Sequence, residues 1–176
     1  MPNINISKYQ MNNVEVNKSI RLSQHFTLGE MTRTGTGIPN IPSRVIIENL
    51  RNICENWLEE MRYDYNTLYC LKPGEDYETS KSVEPVIITS GFRSEDVNKA
   101  VGGSPSSNHL SGCAVDIRCA GFEQAVRYAS ILLDIADDTG QDYDELFIER
   151  KKGGRYWLHF AVRPENNRRK MMFLLK

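Results

Sequence analysis

The residues of this chain best suited to chemistry are His109 and Asp116, which lie in one short stretch. That stretch, residues 107–116, reads Ser-Asn-His-Leu-Ser-Gly-Cys-Ala-Val-Asp. A loop rich in glycine and serine precedes it, so the imidazole is expected at the mouth of a loop. Apolar and polar residues then alternate over residues 113–119, which predicts a strand with Asp116 on the face directed away from the core.

A catalytic zinc site uses three protein ligands and keeps a further position open. His159 is the candidate third ligand because it lies in a second alternating run, residues 156–162, with Trp157 on the same face. The other residues of that run would point into the core. Since the three candidate ligands are distant along the chain, only a folded sheet can gather them.

Glu149 is the candidate general base. The strands predicted on either side of the Gly153-Gly154 turn form a hairpin, and a bulge at these glycines would place Glu149 opposite Trp157. Its carboxylate would then share a face with His159. From there it could take a proton from an attacking water and hand it to a leaving amine.

The composition is that of an ordinary folded domain. The 22 basic and 23 acidic residues give a net charge of −1, which provides no electrostatic basis for nucleic acid or an anionic membrane as partner. A chain of 176 residues with 40% hydrophobic content can bury a core without disulfide or metal support. We find no signal peptide and no apolar run long enough to span a membrane, so we expect synthesis in the cytoplasm.

The four cysteines match no metal-binding or redox spacing, and we interpret them as small core residues. They are Cys54, Cys70, Cys113 and Cys119.

Two long helices and several short strands are expected to position the candidate site. Apolar residues spaced by three and four predict one helix from about 43 to 62 and another over 121–139. Short helices are predicted after the capping residues Thr27 and Ser94. Strands are predicted at residues 85–91, 113–119, 145–149, 156–162 and 170–175. This pattern predicts a single α+β domain, with helices packed on one face of a mainly antiparallel sheet.

The remaining segments carry weaker signals. Residues 1–22 are polar and lack periodicity, which predicts an N-terminal arm preceding a domain over residues 23–176. Residues 63–84 are polar and contain a Lys-Pro-Gly-Glu-Asp turn, so we predict a solvated insertion. His25 lies just before a short helix and is interpreted as a surface or capping residue.

Taken together, these motifs resemble those of the D-alanyl-D-alanine carboxypeptidase-type zinc peptidases of bacterial and phage cell-wall enzymes. The resemblance lies in Ser-x-His-x-x-Gly-x-Ala-x-Asp, in Ser-Gly-Phe-Arg-Ser and Asn-x-x-Val-Gly-Gly before it, and in Trp-x-His after it. It extends upstream to Phe-Thr-Leu-Gly-Glu-Met, Asn-Ile-Pro and Asn-Leu-Arg. Most of residues 26–170 are therefore covered by linked motifs in the family's order.

The resemblance implies that His109, Asp116 and His159 bind Zn²⁺. It also implies the fold shared with hedgehog signalling domains and with the D-Ala-D-Ala dipeptidases of vancomycin resistance.

By the same resemblance, Arg93 stabilises the oxyanion of a tetrahedral intermediate. Several relatives carry their catalytic glutamate three residues before the last histidine, where this chain has Tyr156. Glu149 resembles instead the glutamate that ends the preceding strand in the closer subgroup. Each residue also has an ordinary interpretation, because Arg93 could pair with a neighbouring acid and Glu149 could be a solvated residue paired with a basic residue of the turn.

The substrate implied by the resemblance is a peptidoglycan stem or cross-link peptide, cleaved by a monomer at or near D-alanine. Ser107 and Trp157 are candidate substrate-binding residues, although Ser107 could be only a loop serine and Trp157 only a packing residue. Without a signal peptide, action at the bacterial cell wall would require another release factor, as for a phage-encoded enzyme. Two alternatives are a catalytically silent, zinc-bearing wall-binding or phage structural module and an intracellular D-Ala-D-Ala dipeptidase.

Overall fold

The computed structural model describes residues 19–175, in which five strands form one sheet. The strands are β1 (Ile88–Ser90), β2 (Ala114–Cys119), β3 (Glu145–Arg150), β4 (Tyr156–Ala161) and β5 (Lys170–Leu175). They lie in the order β1-β2-β4-β3-β5, and neighbouring strands are antiparallel except for β3 and β5, which run parallel. The predicted α+β domain with a mainly antiparallel sheet is therefore confirmed.

Five α-helices accompany the sheet in the described residues. They are α1 (Leu28–Met31), α2 (Arg44–Ile53), α3 (Glu59–Tyr69), α4 (Glu95–Ala100) and α5 (Phe122–Thr139). A π-helical turn, Cys54–Leu58, joins α2 to α3, and a 3₁₀ turn, Asn108–Ser111, precedes β2. Trp57 of the π-helical turn packs on Phe160 of β4 with ring centroids 5.1 Å apart. Within residues 19–175, no helix combines the length and the apolar character needed to cross a membrane.

Alternation along the strands divides the sheet into a core face and a site face. Val115 and Ile117 of β2, like Leu158 of β4, are buried in the core beneath the helices. Each such aliphatic side chain contributes roughly 1.5–3 kcal/mol relative to an exposed one. Asp116 and His159 have the opposite parity, so they lie on the site face, as the alternation predicted.

Short polar motifs start the short helices. The Thr27 hydroxyl accepts a hydrogen bond from the Glu30 N–H, while the Glu30 carboxylate accepts one from the Thr27 N–H, which is a complete capping box. The Ser94 hydroxyl accepts a hydrogen bond from the Val97 N–H at the start of α4. Both predicted helix starts are confirmed, and such caps typically stabilise a protein by about 1 kcal/mol.

The prediction that residues 63–84 form a solvated insertion is wrong at the start of this segment, which continues α3. Tyr65 is buried there, with its ring centroid 4.6 Å from that of Tyr128. The side chain of Asn66 is also buried, donates to the Glu84 carbonyl and accepts from the Glu84 N–H. The polar composition of the segment led to the wrong prediction, because a tyrosine can bury its ring and an asparagine can satisfy both of its polar groups internally.

The structure also bears on the predictions for the first strand, the N-terminal arm, His25 and the cysteines. Strand β1 is shorter than the strand predicted over residues 85–91. Most of the predicted polar arm, residues 1–18, lies outside the described residues, whereas Leu22 is fully buried in the core. His25 is not a free surface residue, because its Nδ1 lies 2.6 Å from Glu59 Oε2 of α3. All four cysteines are free thiols, and three of them are buried as expected.

A close approach of two chain segments fixes the end of β1. Phe92 donates its backbone N–H to the Met31 carbonyl at 2.7 Å. A Cβ added to Gly91 would lie 2.4 Å from that same carbonyl oxygen, so only glycine fits.

Replacing Gly91 by alanine is expected to lower the free energy of unfolding by about 2 kcal/mol, because the backbone must move to relieve the overlap. The melting temperature should fall by roughly 4–8 °C in thermal unfolding followed by circular dichroism. Gly35→Ala is the matched control, since an added Cβ there meets no atom within 4 Å. Equal melting temperatures for the two variants would show that the close approach of Gly91 to the Met31 carbonyl does not require glycine.

Candidate metal centre

The sheet register gathers the three predicted ligands. Strand pairing places Asp116 of β2 directly opposite His159 of β4. His109 comes from the 3₁₀ turn, and its ring lies edge-on to that of His159 with centroids 5.1 Å apart. One potential ligand atom from each residue lies within 4.8 Å of the other two, and all three residues are buried.

Each histidine has one ring nitrogen engaged by the protein and the other directed at the aspartate. His109 Nδ1 lies 2.6 Å from the Gly91 carbonyl oxygen, and its Nε2 lies 3.3 Å from Asp116 Oδ2. His159 Nε2 lies 3.3 Å from Glu145 Oε2, and its Nδ1 lies 2.9 Å from Asp116 Oδ1. In metal sites, such outer contacts fix the tautomer and orientation of each imidazole.

The geometry and the donor set fit zinc. Tetrahedral coordination at 2.0–2.2 Å separates neighbouring ligand atoms by roughly 3.3–3.6 Å. The observed nitrogen-to-oxygen separations of 3.3 and 2.9 Å need only a small adjustment to reach that spacing. Two imidazole nitrogens and one carboxylate oxygen are also ligands that zinc commonly takes in proteins. The three residues could therefore hold a metal ion at the wall of the cleft that they line.

The charged groups of the cluster shift the pKa values of one another. Burial alone would raise the pKa of Asp116, but the two histidines outweigh burial and hold that pKa well below its usual range. Burial likewise lowers the pKa of His159, yet the hydrogen bonds to Asp116 and Glu145 raise it to about 9. Because a metal ion binds the deprotonated nitrogen, metal binding competes with protonation of His159.

A polar network behind His159 was not singled out by the sequence motifs. Asn108 donates to Asp144 at 2.8 Å and to Glu145 at 3.0 Å. Arg168 donates to the same two carboxylates, at 2.7 and 2.6 Å. The hydrogen bond from His159 is the main cause of a lowered pKa at Glu145. Alternation along β3 places Glu145 on the same face as Glu149. The pattern that predicted Glu149 on the site face therefore predicts Glu145 there as well.

Arg93 lies beside the candidate ligands. Its Nη2 donates to Asp116 Oδ2 at 2.5 Å, and its Nε donates to Ser90 Oγ at 2.8 Å. It therefore pairs with the aspartate of the cluster rather than with the neighbouring acids of α4. The guanidinium also lines the cleft, where it could contact a bound molecule.

Glu149 lies on the site face in the predicted register. It is directly opposite Trp157, and it is therefore a diagonal neighbour of His159, at about 7–8 Å between Cα atoms. Its exposure is only 3%, so the interpretation as a solvated strand residue is wrong. Gly153 and Gly154 close the hairpin with φ values of 101° and 87°, which residues with a side chain rarely adopt.

The cluster lies in a cleft of about 720 Å³ on the site face. This volume is typical of small-molecule and substrate sites. Trp157 and Ser107 both line the cleft. The Ser107 hydroxyl also accepts a hydrogen bond from the His109 N–H at 3.3 Å, so it helps to position the turn that carries this histidine.

A family model described as Peptidase M15 matches residues 75–141. The matched segment includes Arg93, His109 and Asp116, ends before Glu149 and His159, and covers less than half of the chain. No curated protein matches the chain. The match supports a relationship to the M15 zinc peptidases and a metallopeptidase activity in general.

Metal binding is expected to depend on all three residues of the cluster. His109→Ala, Asp116→Ala and His159→Ala should each weaken Zn²⁺ binding by at least about 100-fold, since even outer contacts of ligands contribute 10–100-fold. Isothermal titration calorimetry and metal analysis after dialysis measure this loss. His25→Gln is the control because it replaces the remaining histidine. Unchanged zinc stoichiometry and affinity in any of the three cluster variants would exclude that residue as a ligand.

Glu145 is expected to support metal binding through His159. Glu145→Gln should weaken Zn²⁺ affinity by about 10–100-fold, because an amide holds the imidazole less firmly than a carboxylate does. Competition with a chromogenic chelator measures this change. Glu123→Gln, a substitution on the exposed side of α5, should leave the affinity unchanged. Equal affinities for the two variants would assign Glu145 a purely structural role.

Proposed function

We propose that this protein is a zinc-dependent peptidase that hydrolyses bonds in peptidoglycan stem or cross-link peptides, at or next to D-alanine. The observation that carries the proposal is the buried cluster of His109, Asp116 and His159 in an open cleft, with the buried carboxylate of Glu149 on the same sheet face. The Peptidase M15 match supports peptidase activity. The choice of peptidoglycan rests on the resemblance of the sequence motifs to cell-wall peptidases.

His109 Nε2, His159 Nδ1 and a carboxylate oxygen of Asp116 would hold the zinc ion. Bound zinc polarises a scissile carbonyl and lowers the pKa of water to about 7. The Gly91 carbonyl and Glu145 hold the two imidazoles in the orientation that leaves these nitrogens directed at Asp116.

Glu149 is the proposed general base. Glu149 is a diagonal neighbour of His159 across the β3–β4 pair, which supports this role. Its carboxylate accepts a proton from the attacking water and passes it to the leaving amine. The strand partners Trp157 and Leu174 lie on either side of Glu149 and line the same cleft. Their side chains limit the approach of bulk water to the carboxylate.

Arg93 is proposed to stabilise the negative charge that develops on the carbonyl oxygen. A guanidinium carries five N–H donors, and the hydrogen bonds to Asp116 and Ser90 use two of them. The remaining donors are available to substrate. Arg93 would thus hold a ligand of the metal and contact the reacting carbonyl.

The extent of the cleft favours a substrate longer than a dipeptide. It reaches from His159 to Lys151 and Arg155 in the hairpin turn, which lie about 13 Å along the strands from the cluster. We propose a monomer that acts at the bacterial cell wall. A stem peptide fits this cleft better than free D-Ala-D-Ala does.

Glu149→Gln is expected to lower the hydrolysis of purified peptidoglycan by at least about 100-fold, because the amide cannot accept the proton. The zinc content should stay unchanged. Mass spectrometry of the fragments released from sacculi, with and without chelator, measures the activity and identifies the bond cleaved. Glu123→Gln serves again as the control, since that carboxylate is exposed and pairs with Arg127 on α5.

Three outcomes would contradict the proposal. Zinc-loaded wild-type protein that binds sacculi without releasing any fragment would identify a catalytically silent wall-binding module. Release of D-alanine from the free dipeptide, with no action on sacculi, would identify a dipeptidase. Full activity of Glu149→Gln would remove this residue as the base.

A further inference from the structure

The cleft continues past the metal cluster towards the turn between β3 and β4. Three exposed basic residues, Arg118, Lys151 and Arg155, line this part of it. We call these three residues the basic end of the cleft. None of them belongs to the motifs on which the resemblance to zinc peptidases rests.

The sheet register fixes the position of Arg118. It lies two residues beyond Asp116 on β2, so both side chains project from the site face. The distance along the strand is about 7 Å. Its partner on β4 is Trp157, and both residues line the cleft.

Lys151 and Arg155 lie farther from the metal cluster than Arg118 does, in the same direction along the strands. The Lys151 N–H donates to the Arg155 carbonyl at 3.0 Å, which extends the β3–β4 ladder beyond the pair of Glu149 and Trp157. The parity of the two strands places both basic side chains on the site face. They lie about 13 Å from the row that contains His159.

Arg118 and Arg155 differ from the other described arginines in their contacts. Within residues 19–175, every arginine other than Arg118 and Arg155 donates to a carboxylate, a carbonyl or a hydroxyl, or stacks on an aromatic ring. In the same part of the chain, Arg118, Lys151 and Arg155 lie within ion-pair distance of no carboxylate. A bound anion therefore has no internal ion pair to displace there.

Asp116 and Glu149 are the acidic residues of the cleft that lie near the basic end. Asp116 lies about 7 Å from Arg118 along β2, but it already pairs with Arg93 and with both imidazoles of the cluster. Glu149 lies two strands from Arg118, about 10 Å, and two residues from Lys151, about 7 Å. The next acid on this face of β3, Glu145, lies at the opposite end and already accepts from Arg168 and His159. Three cations against Glu149, and against an Asp116 that already pairs with Arg93 and two imidazoles, leave this end of the cleft positive, which attracts anionic groups.

We propose that the basic end of the cleft is a subsite for a carboxylate of the peptide substrate, two to four residues from the scissile bond. This inference rests on the proposed peptidase function and specifies its substrate. An extended peptide advances about 3.3 Å per residue, so 7 and 13 Å correspond to about two and four residues. A terminal carboxylate directly after the scissile bond lies much closer to the metal than Lys151 and Arg155 do. The spacing therefore favours an acidic side chain within the peptide.

The test uses peptides that share the bond cleaved in peptidoglycan. One set carries glutamate two, three or four residues from that bond on either side, with an amidated C-terminus. A matched set carries glutamine at the same positions, and a further peptide combines glutamine with a free C-terminal carboxylate. Steady-state kinetics give kcat and KM, and fluorescence anisotropy of labelled peptides gives affinity independently of turnover.

The variants are Arg118→Gln and the double substitution Lys151→Gln with Arg155→Gln. Arg150→Gln is the matched control, because Arg150 belongs to the same hairpin but its guanidinium lies over the Tyr156 ring. At its best position, glutamate should raise kcat/KM of the wild type by about 10–100-fold over glutamine, mainly through KM. Arg118→Gln should reduce that preference, the double variant should abolish it, and Arg150→Gln should retain it.

Several results would overturn the subsite. Equal kcat/KM for the glutamate and glutamine peptides in the wild type would do so, as would a preference for the free C-terminal carboxylate alone. Equal losses on both peptide sets in the variants would indicate that these residues contact the peptide without recognising a carboxylate. If the wild type cleaves no peptide but binds glutamate peptides more tightly, and the variants lose that difference, the peptidase proposal fails and the subsite stands.

Discussion

The structure depends on the burial of one carboxylate, that of Asp116, between two imidazoles. A buried ion is energetically costly unless it is paired and hydrogen-bonded. Only 9% of the surface of Asp116 is exposed. His109, His159 and Arg93 all lie within ion-pair distance of it. Their convergence requires the strand register to be correct, because a slip of one residue would turn Asp116 towards the core. The site can therefore form only when the strands pair in this register.

The division of the sheet into two faces gives the site both rigidity and access. One face packs against the helices and supplies the hydrophobic core, so strand positions are fixed without any contribution from the cleft. The other face lines the cleft and carries three rows of side chains about 7 Å apart. The first row holds Asp116 and His159, the second holds Arg118 and Glu149, and the third holds Lys151 and Arg155. Functional groups mounted on strands are positioned more accurately than groups on loops. Outer groups complete the support, since the Gly91 carbonyl and Glu145 each fix one imidazole.

Much of this arrangement could be predicted from the sequence, because it follows from parity along strands. Alternation correctly separated Asp116 and His159 from the core residues beside them, and the hairpin glycines predicted that Glu149 would face Trp157. Contacts between segments distant in sequence could not be predicted in this way. Arg93 contacts Asp116 because β1 pairs with β2 through an irregular register, which no local sequence pattern predicts. The extension of α3 was missed for a related reason, since Tyr65 is buried by contact with a distant helix.

The central claim is that zinc binds between His109, Asp116 and His159 through specified atoms. The most direct measurement is anomalous X-ray diffraction at the zinc edge on crystals of the zinc-loaded protein. We predict a single strong peak about 2.0–2.2 Å from His109 Nε2, from a carboxylate oxygen of Asp116 and from His159 Nδ1. A peak elsewhere on the chain, or coordination through the nitrogens that now face Gly91 and Glu145, would contradict this account of the site.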